Sequence, residues 1–420
     1  MNPALSPRLR KLLLAPLLAL GVLSIMGTSQ VVDPKAHVRI AVDDGGTAVL
    51  AVEFDGQLFL QDYDTSGWGP IISGGSVSEM ALAMDSGGYA RAVWTHAPTG
   101  LFQAGFDPTT GKWGNSTLAT SAPEYSYQPD LHLDPAGLGM AAWYQTAGPG
   151  IGHIRAVPLD LTGTPGLALD IPTYYAADPR AAVIDATGNG MVVWREGRTA
   201  NDYTTPQVWA SGFLSGPLPA WNLSPTQIDT NSGILPITDL RLASDGAGNA
   251  IAVWSQGIEI YANDSISGAG WGTAQRIDPG TVGNIPLGLQ LSMDLSGNAV
   301  VAWMDGSDLL ALRYDAGLIT PAWEASPTVL DTLPPGVIPA PPALDTDGTG
   351  GAVVAWSGAD PSVISYRVYD PATLLAPIWG PANTLLGIGN HVAVSMDGRV
   401  IGIAWSDSGG HEQATIITLP

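Results

Sequence analysis

The stretch Asp245 to Trp254, DGAGNAIAVW, decides the fold, because variants of it return along the whole chain. Aligned on its leading Asp and closing Trp, it reads DSGGYARAVW at 85–94, DPAGLGMAAW at 134–143, DATGNGMVVW at 185–194, DLSGNAVVAW at 294–303 and DGTGGAVVAW at 347–356. Two degenerate copies flank the series. DGGTAVLAVE at 44–53 puts Glu53 in the Trp position, and MDGRVIGIAW at 396–405 keeps Trp405 but has its acid, Asp397, one place late. Successive copies start 41 to 60 residues apart, which marks a repeat architecture.

Before each Asp runs a short alternating stretch, such as Leu240-Arg241-Leu242-Ala243, with the two-residue period of a strand. D-x-x-G then suits a tight turn: the Asp side chain accepts backbone N–H bonds, and Gly tolerates positive φ. The Ala/Val-rich run that follows reads as a strand buried on both faces. A third strand ends in Tyr-Asp or a relative of it (Tyr63-Asp64, Tyr314-Asp315, Tyr369-Asp370), and a Gly/Pro-Trp signal opens a fourth. Seven of the fourteen Trp close the second strand and six (68, 113, 221, 271, 323, 379) open the fourth, so they read as packing between repeats. Four short strands in roughly fifty residues make one propeller blade. The expected fold is all-β, a β-propeller of four-stranded antiparallel blades, with eight blades preferred and seven as the alternative. The last copy lacks a fourth strand, and SQVVD at 29–33 is expected to supply it and close the ring.

Residues 1–29 stand apart. Arg8, Arg10 and Lys11 precede an apolar run from Leu12 to Met26, with Gly27 and Ser29 before a cut after Ser29, the pattern of a secretory signal peptide. An uncleaved N-terminal anchor is the alternative, and a membrane contact is expected only in that case. Residues 30–420 read as a single propeller domain, secreted or periplasmic and expected to be monomeric. The absence of cysteine excludes a lipid-anchored lipoprotein and disulfide stabilisation. The formal charge of −22 argues against nucleic acid, although acidity also keeps an exported protein soluble. Two Asn-x-Ser/Thr triplets, at Asn115 and Asn263, match the glycosylation pattern, and RTANDYTTPQ at 198–207 lies in the longest repeat.

No nucleophile or metal motif declares itself: G-x-S-x-G, H-E-x-x-H and Cys are absent, and the six His are scattered. No cofactor is expected, with calcium as the one candidate. Asp345 and Asp347, in DTDGTG, alternate like calcium ligands but lack the later bidentate acid, and Asp347 is also the turn Asp of its repeat.

The chain is similar to the loosely defined secreted bacterial propellers with D-x-x-G-N-A-x-A-V-W repeats, over about residues 38–420. It resembles, at a distance, the Asp-box propellers of sialidase type, whose motif is S-x-D-x-G-x-x-W. Here the Trp lies nine residues after the Asp and the leading Ser is missing, a departure that counts against sialidase activity. The resemblance implies the fold and leaves the ligand open.

In a propeller whose first strands are innermost, the D-x-x-G turns lie on one face. The starts of those strands and the loops after the motif Trp lie on the other. There the repeats diverge in polar ways: Glu79, Asp130, Arg180, Asp239, Arg241 and His391 at strand starts, and His96, Gln145, Arg195, Glu196, Gln256 and Asp305 after the Trp. Arg180 and Arg241, at nearly matching positions of adjacent repeats, suit a carboxylate clamp; ion pairs to Asp178, Asp239 or another local acid are the structural alternative. The expected role is an exported, non-enzymatic binding or scaffold propeller that recognises a protein or glycan through this variable face. A glycan-active hydrolase or lyase with an acidic site at the central channel is the alternative, and a purely structural surface repeat is a third.

Overall fold

The computed structural model describes residues 22–24 and, from 37 to 419, all positions except 97–99, 116, 122–124, 147–150, 161, 163, 175–176, 184, 198–206, 230–234, 279–283, 335–336, 338–339, 359–362, 372–377, 387–390 and 407–411. The described residues form no helix, and their strands fall into eight antiparallel sheets. The fifth is typical: Ile237–Ser244, Ala250–Gln256, Glu259–Ile266 and Gly270–Trp271 pair in sequence order, and Gln275–Arg276 continues the outer edge along the third strand. First strands of neighbouring blades pack together around the whole circuit, including His37–Val42 of blade 1 against His391–Asp397 of blade 8. Eight blades therefore close the ring, and the seven-blade alternative falls.

The turn chemistry explains the motif. Asp245 Oδ1 accepts the N–H groups of Ala247 and Asn249 at 2.8 and 3.0 Å, and Gly248 sits at φ 105°, where a Cβ is disfavoured. The Asn after the Gly also has a role. Asn249 Nδ2 donates to Asp245 Oδ2 at 2.6 Å while its Oδ1 accepts the Ser267 N–H at 3.0 Å, tying the turn to the end of the third strand. Asn298 repeats this in blade 6, and Asn189 in blade 4.

In blade 1 the same role falls to Asp43 rather than Asp44. Its Oδ1 accepts the Thr47 N–H at 2.7 Å, and Gly46 carries φ 88°. The first copy therefore spans 43–52, and Val52, paired with Val38, stands in the Trp position instead of Glu53.

Each of the seven motif Trp is at most 2% exposed and packs on the preceding blade. Trp94 meets Val49, Ala51 and Leu58 of blade 1, and Trp254 meets Val193 and Val208 of blade 4. The second Trp series pairs across strands with the aromatic residue of the third strand: Trp68 with Tyr63, Trp113 with Phe106, Trp221 with Phe213, Trp323 with Tyr314 and Trp379 with Tyr369, at 5.0 to 5.6 Å between ring centroids. Tilted pairs at this distance add to the area they bury.

The fourth strand of blade 8 comes from an unexpected place. Val22–Ser24, inside the apolar N-terminal run, pairs antiparallel with Gln413–Thr415. The expected donor, 29–33, lies outside the described residues, as does all but Gln207 of 198–207. Asn263 is not available to a glycan: it is 1% exposed, and its Nδ2 donates to the carbonyls of Ile228 and Gly272 at 2.8 and 3.2 Å.

Candidate functional site

The first strands line a central channel, and at its turn face a cavity of about 480 Å³ is lined by residues from all eight blades. Most of the candidates read from the sequence lie toward the opposite face, but the two calcium candidates, Asp345 and Asp347, line this cavity. Its wall holds Leu82, Leu131, Leu242, Leu291 and Leu344, with His132, Ser292, Asp345 and Ser395 one position nearer the turns. Asp345 Oδ2 accepts the Met396 N–H of blade 8 at 2.9 Å, and its Oδ1 accepts the Thr346 N–H at 2.9 Å and the Ser292 hydroxyl at 3.2 Å. Burial outweighs those donors and pushes its carboxyl up to about 6. His132 Nδ1 accepts the Val183 N–H at 3.2 Å, and burial lowers its pKa, so the ring is neutral near pH 7.

Asp347, the partner of Asp345 in the calcium reading, uses its Oδ1 for the turn, accepting from Thr349 N–H, Gly351 N–H and Thr349 Oγ1 at 2.8, 2.7 and 2.9 Å. Among the described residues no group of three or more His, Asp or Glu is placed to hold a metal ion.

Further along the channel lies a level defined by register: the first-strand residue paired with the residue just before the motif Trp. Around the ring this level reads Arg39, Ala81, Asp130, Arg180, Arg241, Gln290, Ala343 and Ala393. Three arginines thus share one level of a strongly acidic protein. Arg180 Nε and Arg241 Nη1 donate to the same carbonyl oxygen, that of Leu240, at 3.0 and 2.8 Å. The two guanidinium groups are held side by side. Each also has an acid: Arg180 Nη1 stands 3.7 Å from Asp130 Oδ1, and Arg241 Nη1 stands 3.1 Å from Asp239 Oδ1. The ion-pair alternative therefore holds, with Asp130 as an acid for Arg180 and Asp239 for Arg241, while the Asp178 side chain lies outside the described residues.

Arg39 was absent from the expected set. Its side chain is solvent-exposed, yet protein atoms crowd around it. That crowding and the charge of Arg180 lower its pKa, and Asp130 and Glu53 act in the opposite direction. It donates Nη1 to the Val38 carbonyl at 2.9 Å.

Several other candidates act between or within blades. The Glu79 carboxylate accepts the N–H of Gln128, at a bulge where Gln128 has φ 54°. Asp239 Oδ2 accepts the Leu289 N–H of blade 6 at 3.3 Å. Arg195 Nη1 donates to the Ile237 carbonyl at 2.6 Å, joining blades 4 and 5. Glu196 and Gln145 accept from the indoles of Trp194 and Trp143 at 3.0 and 3.2 Å. His391 is exposed at the start of its strand, while His96 and Asp305 are half-buried and Gln256 is buried.

No protein-family model matches the chain. No curated protein matches it either. Among solved structures it is similar to a puromycin hydrolase, at 14% identity and a TM-score of 0.52, covering 88% of this chain and 58% of that one. A Hadza microbial sialidase aligns at 13% identity and a TM-score of 0.41, over 79% of this chain and 73% of that one. The Aleuria aurantia lectin aligns at 14% and 0.42, over 72% and 98%. Likeness at these identities speaks to the fold alone.

Proposed function

We propose that the protein is an exported, non-enzymatic binding propeller that recognises a carboxylate-bearing glycan or protein segment at the face where the first strands start. One observation carries this reading: Arg180 and Arg241 are fixed beside each other on the Leu240 carbonyl, with Arg39 at the same level. Guanidinium forks suit a carboxylate, and two held side by side present donors to one anion. Their acids, Asp130 and Asp239, are occupied by these arginines or by backbone N–H groups, which favours binding over acid–base chemistry.

A catalytic reading has one observation in its favour: Asp345, with its carboxyl near 6, stands in the wall of the turn-face cavity. Its oxygens are already engaged by two backbone N–H groups and a hydroxyl, as in a structural latch, so this reading is second.

The test is binding of the full chain to an array of acidic and neutral glycans, beside an Arg180→Ala/Arg241→Ala variant of unchanged circular dichroism. Acidic glycans are expected to bind the wild type and lose roughly tenfold or more in affinity for the variant. Equal binding by both proteins sinks the carboxylate reading. Turnover of a glycan that Asp345→Asn abolishes establishes the catalytic one.

A further inference from the structure

A second cavity, of about 650 Å³, opens between blades 2 and 3. Blade 2 contributes Tyr89, Arg91, Gly105 and Lys112, and blade 3 contributes Gly137 and Thr162. Arg91 breaks the repeat. At the same register, three residues before the Trp position, the other blades carry Val49, Val300 and Val353, Met140 and Met191, Ile251 and Gly402. An apolar position facing the next blade has been given a cation.

That cation is only 8% exposed. Its Nη1 donates to Gln103 Oε1 at 3.3 Å, and its Nε is buried with no hydrogen-bond partner among the described residues. Asp160 and Asp85 influence it through space, and burial lowers its pKa. Neither acid pairs with it: Asp85 Oδ1 accepts the N–H groups of Gly87 and Tyr89, and Asp160 Oδ1 those of Thr162 and Thr164. Directly across the sheet stands Gly105, where an added Cβ would meet nothing nearer than the Ala90 carbonyl at 3.8 Å. The missing side chain leaves open space beside the guanidinium. Lys112, paired across strands with Asp107, brings a second cation to the exposed rim. The ring of Tyr89, 45% exposed, supplies an aromatic wall.

A buried charge short of partners destabilises a fold, and an apolar residue of similar volume removes the cost. Blades 3 and 4 use Met at this register and blade 1 uses Val, so Arg91 needs a reason other than packing. We propose that the cleft between blades 2 and 3 binds the compact oxyanion, carboxylate or sulfate, of a ligand one or two sugar rings in size, with Arg91 at its floor and Lys112 at its rim. A cavity of this volume suits such a ligand. The site is independent of the channel arginines.

The experiment is calorimetric titration of the full chain with glucuronic acid, sodium sulfate and glucose, with thermal midpoints recorded for each unliganded protein. Glucuronic acid is expected to bind and glucose is not. Sulfate binding in addition means that the oxyanion alone suffices, and glucuronate binding without sulfate means that the sugar ring contributes. Arg91→Met is expected to weaken binding roughly tenfold or more while keeping or raising the midpoint. Gly105→Val, which fills the cleft and leaves Arg91 in place, is expected to block binding as well. Arg180→Ala/Arg241→Ala is expected to bind like the wild type, which separates this cleft from the channel. The proposal is overturned if neither anion binds, if glucose binds equally, or if Arg91→Met and Gly105→Val both retain wild-type affinity. A midpoint that falls in Arg91→Met, with Gly105→Val binding normally, likewise makes Arg91 a packing residue.

Discussion

Asp345 of blade 7 holds the backbone N–H of Met396 in blade 8 at 2.9 Å, so a carboxylate ties the seam beside the point where the ring closes. The latch titrates. Its carboxyl stands at about 6 in the folded protein against an ordinary 3.8, so the native chain binds this proton more tightly than the unfolded chain does. Its stabilising contribution is complete below about 3.8 and is lost as pH rises through about 6. The thermal midpoint of the wild type minus that of Asp345→Asn should therefore fall between pH 4 and pH 7. A difference independent of pH would show that the carboxyl titrates normally.

Trp254 is fully buried against blade 4, and its loss removes contact from two blades at once. Trp254→Ala should cost about 3–5 kcal/mol in urea unfolding. Trp323, half-buried in an outer pair with Tyr314, should cost clearly less when replaced in the same way.

Asn249 makes two side-chain hydrogen bonds, one to the turn Asp and one to the third strand. Asn249→Ala should lower stability by about 1–2 kcal/mol. The equivalent Asn298→Ala should match it, because the geometry repeats in blade 6. A neutral result in both would reduce the Asn to a turn-propensity residue.

Arg39 shares its level with Arg180, whose charge disfavours its own. Arg39→Met should raise the thermal midpoint in low salt and lower affinity for acidic ligands at the channel. The gain should shrink as salt screens the repulsion. A fall in the midpoint at every salt concentration would mean that Arg39 is a net stabiliser.

The blade plan was legible because its signals are local: a turn Asp, a positive-φ Gly and a two-residue period lie within one decapeptide. The start of the first copy was not, since Asp43 and Asp44 stand side by side and only the Thr47 hydrogen bond distinguishes them. That single slip hid Arg39. Counted from Asp43 it falls at the register of Arg241, and counted from Asp44 it does not. Arg91 had a readable signal, a cation in a column of Val, Met and Ile, but the neighbouring blade that encloses it comes from distant sequence. Glu79 and Asp239 look like ligand groups in one dimension. Their backbone partners, Gln128 and Leu289, lie about fifty residues away and become neighbours only when blades are adjacent. The closing strand at Val22–Ser24 escaped notice because that stretch carries the stronger pattern of a leader.

In six blades the outermost strand is split: a two-residue Trp-bearing piece, then a separate piece rejoining the third strand, as with Gly67–Trp68 and Ile72–Ser76. A ring of eight sheets presents eight rims to its surroundings, and the repulsion that a net charge of −22 supplies is one guard on them. The break supplies another safeguard. A visiting strand finds no long straight row of free N–H and C=O groups to copy, and stacking of one molecule on another through its rims is interrupted after two residues.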